Sequence, residues 1–167
     1  TVDHLHTIVQ IQEKTLEWQV PVWTCFIDFE KAFDSIEHDA IWKALQNQGV
    51  SQAYIELLRR LYQNQVSQVS VDSMLSRHVP VQRGTKQGDP LSTLLFNAVL
   101  EDIFREVLPG WKQKRYGLEM SLGVQNHLVN SCFADDVVLV AATRSQLKAM
   151  LVDLRGAAAG RGLDSCR

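Results

Sequence analysis

The sequence predicts an α+β fold in which helices pack on one face of a mainly antiparallel sheet. Two apolar runs of strand length, at residues 22–29 and 131–141, each contain acidic residues that hydrophobic packing does not require. Around these runs, several segments carry apolar residues at the spacing of an amphipathic helix. With 167 residues, of which 46% are hydrophobic and 22% charged, the chain is long enough for one domain with a sizeable core.

The composition indicates an intracellular protein, nuclear or cytoplasmic, with no membrane partner. No apolar run approaches the roughly 20 residues that span a bilayer, and no signal peptide is visible. Cys25, Cys132 and Cys166 form no CxxC pair, which argues against a disulfide framework and a structural zinc site. The net charge of -2 argues against a free-standing nucleic-acid binder, which is usually basic. Because the chain begins at Thr1 without an initiator methionine, we expect it to belong to a longer protein.

The first predicted elements are a helix and a strand. Apolar residues in Thr1–Gln19 follow helical spacing, and Pro21 ends the helix because its ring cannot continue one. The run Val22–Phe29 is rich in strand formers and apolar on both faces, which predicts a central strand covered on each side. Asp28 falls near the end of this strand, where solvent or a ligand can reach it.

Two helices are predicted next. Asp34 and Glu37 have the spacing of a capping box, which places a helix start at Asp34. This helix continues to about residue 48, and Gly49 supplies its C-terminal stop. Ser51 caps a second helix that runs to about residue 61. The inward positions of the first helix are Ile41, Trp42 and Leu45.

The remaining elements are a small hairpin and two helices. Val66–Val71 alternates as a half-exposed strand does, and Arg77–Val81 is its predicted antiparallel partner. Asp89 caps a helix that has Pro90 at its first position and runs to about residue 108, where Pro109 and Gly110 end it. Residues 111–129 predict short strands and turns. Residues 145–160 predict a last helix with Leu147, Met150, Leu151 and Leu154 on one face.

Residues 131–141 predict a hairpin with Asp135 and Asp136 at its tip. Taken alone, this pair favours a simple turn, since Asp forms turns through hydrogen bonds to its own backbone. In an antiparallel sheet, however, the end of the first strand can lie beside this hairpin, which would bring Asp28 close to Asp135. Three carboxylates on neighbouring apolar strands suit Mg²⁺, which prefers oxygen ligands and takes one or two carboxylates plus substrate phosphates.

Three stretches of the chain together resemble reverse transcriptases. Phe26–Asp34 is FIDFEKAFD, Arg83–Ser92 is RGTKQGDPLS, and Phe133–Asp136 is FADD. Their order and spacing match three successive motifs of that family. The FADD and QGxPLS forms are similar to those of non-LTR (LINE-like) retrotransposon enzymes, and the resemblance covers nearly the whole chain.

The resemblance implies a fragment of a right-hand polymerase. Residues 1–20 would lead into the palm, residues 21–36 and 83–167 would form the palm, and residues 37–82 would be a partial fingers insertion, with no thumb. The implied activity is RNA-directed DNA polymerase, in which a primer 3′-hydroxyl attacks the α-phosphate of a dNTP and pyrophosphate leaves. The implied partners are an RNA template, a DNA primer, dNTP and the remainder of a retroelement polyprotein.

The resemblance also assigns site residues. Asp28 and Asp135 would bridge two Mg²⁺ ions about 3.5–4 Å apart, with Mn²⁺ as a substitute. The backbone carbonyl of Phe29 would complete the metal site on the nucleotide side, and Asp136 would be a less directly engaged third acid. Phe33 would be the sugar gate, an aromatic ring under C2′ of the nucleotide that collides with a 2′-hydroxyl. Its alternative role is that of a core aromatic at a helix start.

Further contacts to substrate are implied for the second motif. Gln87 and Gly88 would approach the incoming nucleotide and the template base, with glycine required because no side chain fits beneath the base pair. The basic residues 83 and 86 are candidates for phosphate contacts. Basic residues at 112–115, interleaved with Trp111 and Tyr116, suit a surface that follows a nucleic-acid backbone, although a solvated charged loop explains them equally well.

Two alternatives belong to other functional classes. A catalytically inactive reverse transcriptase-like remnant would serve as an RNA-binding scaffold, and a nucleotide cyclase would use a similar two-metal palm. A scaffold does not need the acids, and a cyclase has no template for Gln87–Ser92 to contact. Because the triphosphate-gripping motifs of the fingers and the thumb are not recognised in the chain, we expect the isolated fragment to be inactive.

Overall fold

The computed structural model of the chain describes residues 2–72, 74–86, 88–119, 127–133 and 136–163. The helices are α1 Val2–Trp18, α2 Ala32–Ser35, α3 His38–Asn47, α4 Gln52–Tyr62, α5 Pro90–Gln113 and α6 Arg144–Ala159. The strands are β1 Trp23–Ile27, β2 Val66–Ser67, β3 Ser70–Val71, β4 Met74–Leu75, β5 Val79–Pro80, β6 Leu118–Glu119, β7 His127–Leu128, β8 Asn130–Phe133 and β9 Asp136–Ala141. Helices combined with antiparallel strand pairs confirm the predicted α+β class.

The chain forms two compact units. The sheet unit comprises Thr1–Glu30 and Ile103–Arg167, and the inserted unit comprises Lys31–Asp102. None of the helices in the described part of the chain is long and apolar enough to cross a membrane.

The sheet unit is built on a three-stranded antiparallel sheet in the order β1-β9-β8. Strand β9 is the central strand, and its residues Val137 to Ala141 are buried. The predicted central position of β1 is wrong, because β1 lies at an edge of the described sheet, and Trp23 and Phe26 are 44% and 67% exposed. Apolar residues on both faces of a strand predict burial, but they do not specify which strands pair with it.

The predicted acidic hairpin is confirmed by the pairing of β8 with β9. Its register joins Asn130 to Leu139 and Phe133 to Asp136. The two residues between the strands, 134 and 135, lie outside the described residues. The register therefore places Asp136 at the first position of β9.

The core of the sheet unit forms where the predicted apolar faces meet the sheet. Ile11 of α1 clusters with Leu118, Val138 and Val140. From α6, Leu147, Met150 and Leu154 are buried as predicted, whereas Leu151, predicted on the same face, is half-buried. Each of these side chains contributes about 1.5–3 kcal/mol on leaving water.

The end of α1 is confirmed where it was predicted. Gln19 adopts a left-handed backbone with φ 54°, and Val20 N–H donates to the Thr15 carbonyl at 3.1 Å. This 6→1 hydrogen bond is the C-terminal arrangement that satisfies the last helical carbonyls. Pro21 follows immediately after it.

Helix α5 shows where the sequence prediction was wrong. Pro109 was expected to end it, but the helix continues to Gln113 with Pro109 inside. A proline in a helix interior costs about 3 kcal/mol. The continuation buries Trp111 completely, and its indole N–H donates to the Asp153 carboxylate at 3.0 Å. We attribute the tolerated proline to this burial, which requires the last turn of the helix.

The inserted unit begins with the short helix α2, at the position where the sequence predicted a capping box at the start of a longer helix. Asp34 lies within α2, and the next helix starts four residues later with Glu37 as its N-cap, without a side-chain hydrogen bond. The predicted end of that helix is confirmed, since Gly49 has φ 82° and Val50 N–H donates to the Leu45 carbonyl at 3.0 Å. Ser51 is the N-cap of α4 by position only, because its side chain makes no capping hydrogen bond.

The small hairpin is present but divided. Strand β2 pairs with β5, within the predicted partner segment, while β3 pairs with β4. All four strands are exposed and only two residues long. A strand pair without a buried face specifies its register weakly, which explains why the alternation alone did not predict the division.

Candidate functional site

Asp28 and Asp136 lie at the same end of the β1–β9 ladder. The ladder ends at the pair Ile27–Val137; Asp28 directly follows β1, and Asp136 is the first residue of β9. Strand pairing thus brings together two acids that are remote in sequence.

Both of these carboxylates are accessible. Asp28 and Asp136 are exposed, and within the described residues neither makes a hydrogen bond or an ion pair. Two adjacent carboxylates repel by about 1 kcal/mol at 4 Å in water and about 4 kcal/mol at a protein-like dielectric. Two accessible carboxylates at one end of a sheet, without a cationic side chain as partner among the described residues, suit a bound cation.

The other two expected metal ligands are not tested by the structure. Asp135 lies outside the described residues, so its predicted approach to Asp28 stays a prediction. Phe29 is buried at 3% exposure, directly after Asp28, and the role of its carbonyl also stays a prediction. Among the described residues, no group of three or more His, Cys, Asp or Glu side chains could hold a metal ion.

Phe33 lies in α2, where two contacts fix it. Its half-buried ring packs against the fully buried ring of Phe96, with centroids 5.1 Å apart and planes tilted by 36°. Its carbonyl accepts a hydrogen bond from Thr85 N–H at 2.6 Å. Side chain and backbone of Phe33 are therefore both held by residues of the second motif or of the helix that follows it.

Gly84 brings the backbones of the first and second motifs into close contact. Its N–H donates to the Ile36 carbonyl at 2.7 Å, and a Cβ atom built on it would lie 2.7 Å from the Asp34 carbonyl oxygen. With φ 85°, the backbone also adopts a conformation that favours glycine. Sequence reasoning assigned no role to Gly84 or Thr85, although a glycine directly before a candidate binding segment was a signal of close backbone approach.

His38 was also missed. Its Nε2 lies 2.9 Å from the Gly84 carbonyl oxygen, and its ring packs against Trp42 and Tyr62. Burial raises the pKa of Tyr62 above its usual value of 10.0, and the charge of Asp89 adds to this shift. His38 therefore supports the Gly84 backbone.

The turn before α5 agrees in part with its prediction. The Asp89 side chain accepts a hydrogen bond from Leu91 N–H at 3.0 Å, and Pro90 is the first residue of α5, which confirms the cap. Gly88 has φ 85°, and a Cβ atom built on it would meet nothing within 4 Å. Its contact with a base pair stays a prediction, and Gln87 lies outside the described residues.

Arg83 and Lys86 line one cleft of about 370 Å³ in the inserted unit. Both are exposed, and Asp34 also lines the cleft. Their expected contacts with phosphate stay predictions. The other lining residues are Gln65, Val66, Ser67, Val81, Gly84 and Thr85.

The structure removes Trp111 from the basic surface expected around residues 111–116, while residues 112–115 are exposed and their contact with nucleic acid stays a prediction. Trp111 is fully buried, so its ring is not available to stack on a base. Lys114 Nζ lies 5.5 Å from the Tyr116 ring centroid and 4.0 Å from the Asp153 carboxylate. Within the protein, this segment ends a helix and contacts α6.

Comparison with known proteins gives a consistent result. Residues 1–164 match the family described as reverse transcriptase (RNA-dependent DNA polymerase). The chain is 35% identical over 132 residues to the Retrovirus-related Pol polyprotein from type-2 retrotransposable element R2DM of Drosophila melanogaster. It is 34% identical over 143 residues to the Retrovirus-related Pol polyprotein from type-1 retrotransposable element R2 of Nasonia vitripennis.

These alignments cover 77% and 86% of this chain but 12% and 13% of the two relatives. The chain thus spans about an eighth of the length of these curated relatives. It is also 30% identical over 118 residues to the Transposon TX1 uncharacterized 149 kDa protein of Xenopus laevis, an alignment that covers 69% of this chain and 8% of that protein.

Proposed function

Because this chain belongs to the reverse transcriptase (RNA-dependent DNA polymerase) family, we propose that it is a catalytic segment of an RNA-directed DNA polymerase. The matches to Pol polyproteins from R2 elements confirm the resemblance to non-LTR retrotransposon enzymes. The reaction is the addition of a dNTP to a primer 3′-hydroxyl on an RNA template. The single observation that carries the proposal is the position of Asp28 and Asp136 at the same end of the β1–β9 ladder.

We propose that the β1-β9-β8 sheet is the centre of a polymerase palm and that residues 37–82 belong to the fingers. The sheet supports this role because it presents acids at one end while β9 is buried along its length. A ladder of five paired positions holds the ends of β1 and β9 in a fixed register. Such a platform keeps two carboxylates in place without further contacts between their side chains.

The donor set fits divalent cations. Asp28 and Asp136 are accessible carboxylates with no partner among the described residues, and hard cations prefer such oxygen ligands. We propose that Asp28, Asp135 and the Phe29 carbonyl hold two Mg²⁺ ions, or Mn²⁺, with Asp136 as a supporting acid. When bound, the ions would activate the attacking hydroxyl and neutralise charge on the triphosphate.

The residues of this chain would position the metal-binding acids and select the sugar of the incoming nucleotide. Strand pairing sets the position of the acids, and positioning is a large part of catalysis in phosphoryl transfer. We propose that Phe33 selects the sugar by collision with a 2′-hydroxyl, and that Gln87 and Gly88 contact the incoming nucleotide and the template base. The proposed role of Phe33 is supported by its half-buried ring, which is accessible on part of its surface and packs against Phe96.

The proposal is tested by primer extension with the full-length protein that contains this chain. Asp28→Asn should abolish extension on an RNA template while circular dichroism shows an unchanged fold. The matched control is Asp39→Asn, since Asp39 is an exposed acid in the first turn of α3 and should be dispensable. Extension by Asp28→Asn at the wild-type rate would refute the metal assignment.

The same experiment distinguishes the scaffold alternative. A protein that binds RNA but extends no primer, even before substitution, would support an inactive remnant. Such binding should then be insensitive to Asp28→Asn, because a scaffold makes no use of the carboxylate.

A further inference from the structure

The Phe33 ring packs against a residue that lies outside the first motif. The ring of Phe96, on the second turn of α5, is fully buried, and its centroid lies 5.1 Å from that of Phe33. The distance and the tilt of 36° are in the range of favourable offset aromatic pairs. One ring is thus immobile in the core, and the other lies against it with part of its surface accessible.

The backbone beneath Phe33 is held separately. Thr85 N–H donates to the Phe33 carbonyl at 2.6 Å, and Gly84 N–H donates to the Ile36 carbonyl at 2.7 Å. These two hydrogen bonds join α2 and its exit to the chain at 84–85. With the backbone fixed in this way, the main remaining freedom of Phe33 is rotation of its side chain.

We propose that Phe96 is a positioning residue that sets sugar selectivity by holding the Phe33 ring. The inference rests on the proposed function, in which Phe33 collides with a 2′-hydroxyl. A collision discriminates only if the ring cannot rotate away from the sugar. Phe96 is completely buried, and its ring contacts the Phe33 ring, so it would resist rotation of that ring.

The test removes the aromatic ring of Phe96 and leaves Phe33 unchanged. In the full-length protein, Phe96→Leu keeps an apolar residue at a buried site but removes the aromatic partner. We expect the ratio of dNTP to rNTP incorporation to fall by roughly two- to tenfold, which corresponds to the contribution of an aromatic pair. Because the ratio is measured on one preparation, a loss of folded molecules affects both rates equally and cancels.

A second readout does not depend on turnover. A primer ending in a dideoxynucleotide forms a dead-end complex, and its affinity for dNTP and for rNTP is measured by gel shift. Phe96→Leu should reduce the preference for dNTP in this complex as well. If Phe96→Leu does not fold, Phe96→Met, which keeps most of the volume, is measured in the same two assays.

The matched control is Phe104→Leu. Phe104 is also a buried aromatic of α5, at 3% exposure, but its ring partner is Trp111. It should lose stability to a similar extent and keep the wild-type sugar ratio. An unchanged ratio in Phe96→Leu, or an equal fall in Phe104→Leu, would overturn the inference.

Phe33→Val separates failure of the inference from failure of the proposed function. If Phe33→Val admits rNTP but Phe96→Leu does not, the gate stands and Phe96 does not position it. If neither variant changes the ratio while the polymerase remains active, both the gate and its support are refuted. Loss of extension in Asp28→Asn remains an independent test of the metal site.

Discussion

Thr85 donates its backbone N–H to the carbonyl oxygen of Phe33 at 2.6 Å, and this hydrogen bond joins two motifs that are far apart in the sequence. The neighbouring residue, Gly84, extends the contact to the backbone of Asp34 and Ile36. Both donors are main-chain groups, so the contact depends on backbone approach more than on side-chain identity. Its geometry leads to the first prediction.

Gly84→Ala should destabilise the protein through contact with the Asp34 backbone. The added Cβ would lie 2.7 Å from the Asp34 carbonyl oxygen and could be accommodated only by a backbone shift. We expect a loss of about 2–4 kcal/mol in the free energy of unfolding, from the positive φ and the steric contact together. Urea unfolding of the purified protein measures this loss.

Gly88→Ala is the matched control for that prediction. Gly88 has the same φ of 85°, but an added Cβ meets nothing within 4 Å. Its cost should be about 1–2 kcal/mol, from the left-handed backbone alone. Equal losses in the two variants would show that the contact with Asp34 contributes nothing.

Phe33→Val should increase the incorporation of rNTP. The smaller side chain removes the ring that we propose collides with a 2′-hydroxyl, while dNTP incorporation is less affected. Steric selection in an apolar pocket typically contributes about 10–200-fold, so the sugar ratio should fall by at least roughly tenfold. Single-nucleotide extension with dNTP and rNTP measures it, and unchanged sugar selectivity would remove the gate from the mechanism.

Mg²⁺ or Mn²⁺ should stabilise the fold. A ligand that binds only the folded state at about 100 times its Kd stabilises by about 2.7 kcal/mol, which raises Tm. The rise should vanish in Asp135→Asn and persist in the control Asp39→Asn. Differential scanning calorimetry with and without the ions measures it, and a rise that survived in Asp135→Asn would place the cation elsewhere.

Stability should fall at alkaline pH because of Tyr62. Burial raises the pKa of Tyr62 in the folded state above its usual 10.0, so the folded state retains a proton that the unfolded state has lost. The contribution is fully present below pH 10 and is lost as pH rises through the folded-state pKa.

Tyr62→Phe should therefore show a shallower decline in the free energy of unfolding between pH 9 and 11.5 than the wild type. Tyr54→Phe, which alters a tyrosine that is 67% exposed, is the control and should retain the wild-type decline. If the free energy of unfolding of Tyr62→Phe declined as steeply as that of the wild type, another ionisable group would cause the loss of stability.

Local patterns in the sequence predicted most of the elements. The helical spacing of apolar residues predicted α1, α3, α4 and α6, because one face of each helix must leave water. Gly49 and Asp89 predicted a helix end and a helix start, since both act through their own backbone or the adjacent turn. The hairpin β8–β9 followed from two apolar runs that meet at a turn.

Two predictions from local patterns were wrong. Pro109 ends a helix in isolation, but burial of Trp111 and its hydrogen bond to Asp153 favour continuation. Asp34 and Glu37 have capping-box spacing, yet α2 includes Asp34. In these cases the decisive contact comes from a residue that the local pattern does not contain.

The sequence predicted one part of the candidate site, and the tertiary structure decided the other. The residue types and their order in three short motifs were sufficient to indicate the family. The tertiary structure decided that Asp28 and Asp136 lie at the same end of the β1–β9 ladder, that Phe33 packs on Phe96 and that Gly84 approaches Asp34. Strand register and close backbone packing are relations between distant segments, and their energies appear only once those segments meet.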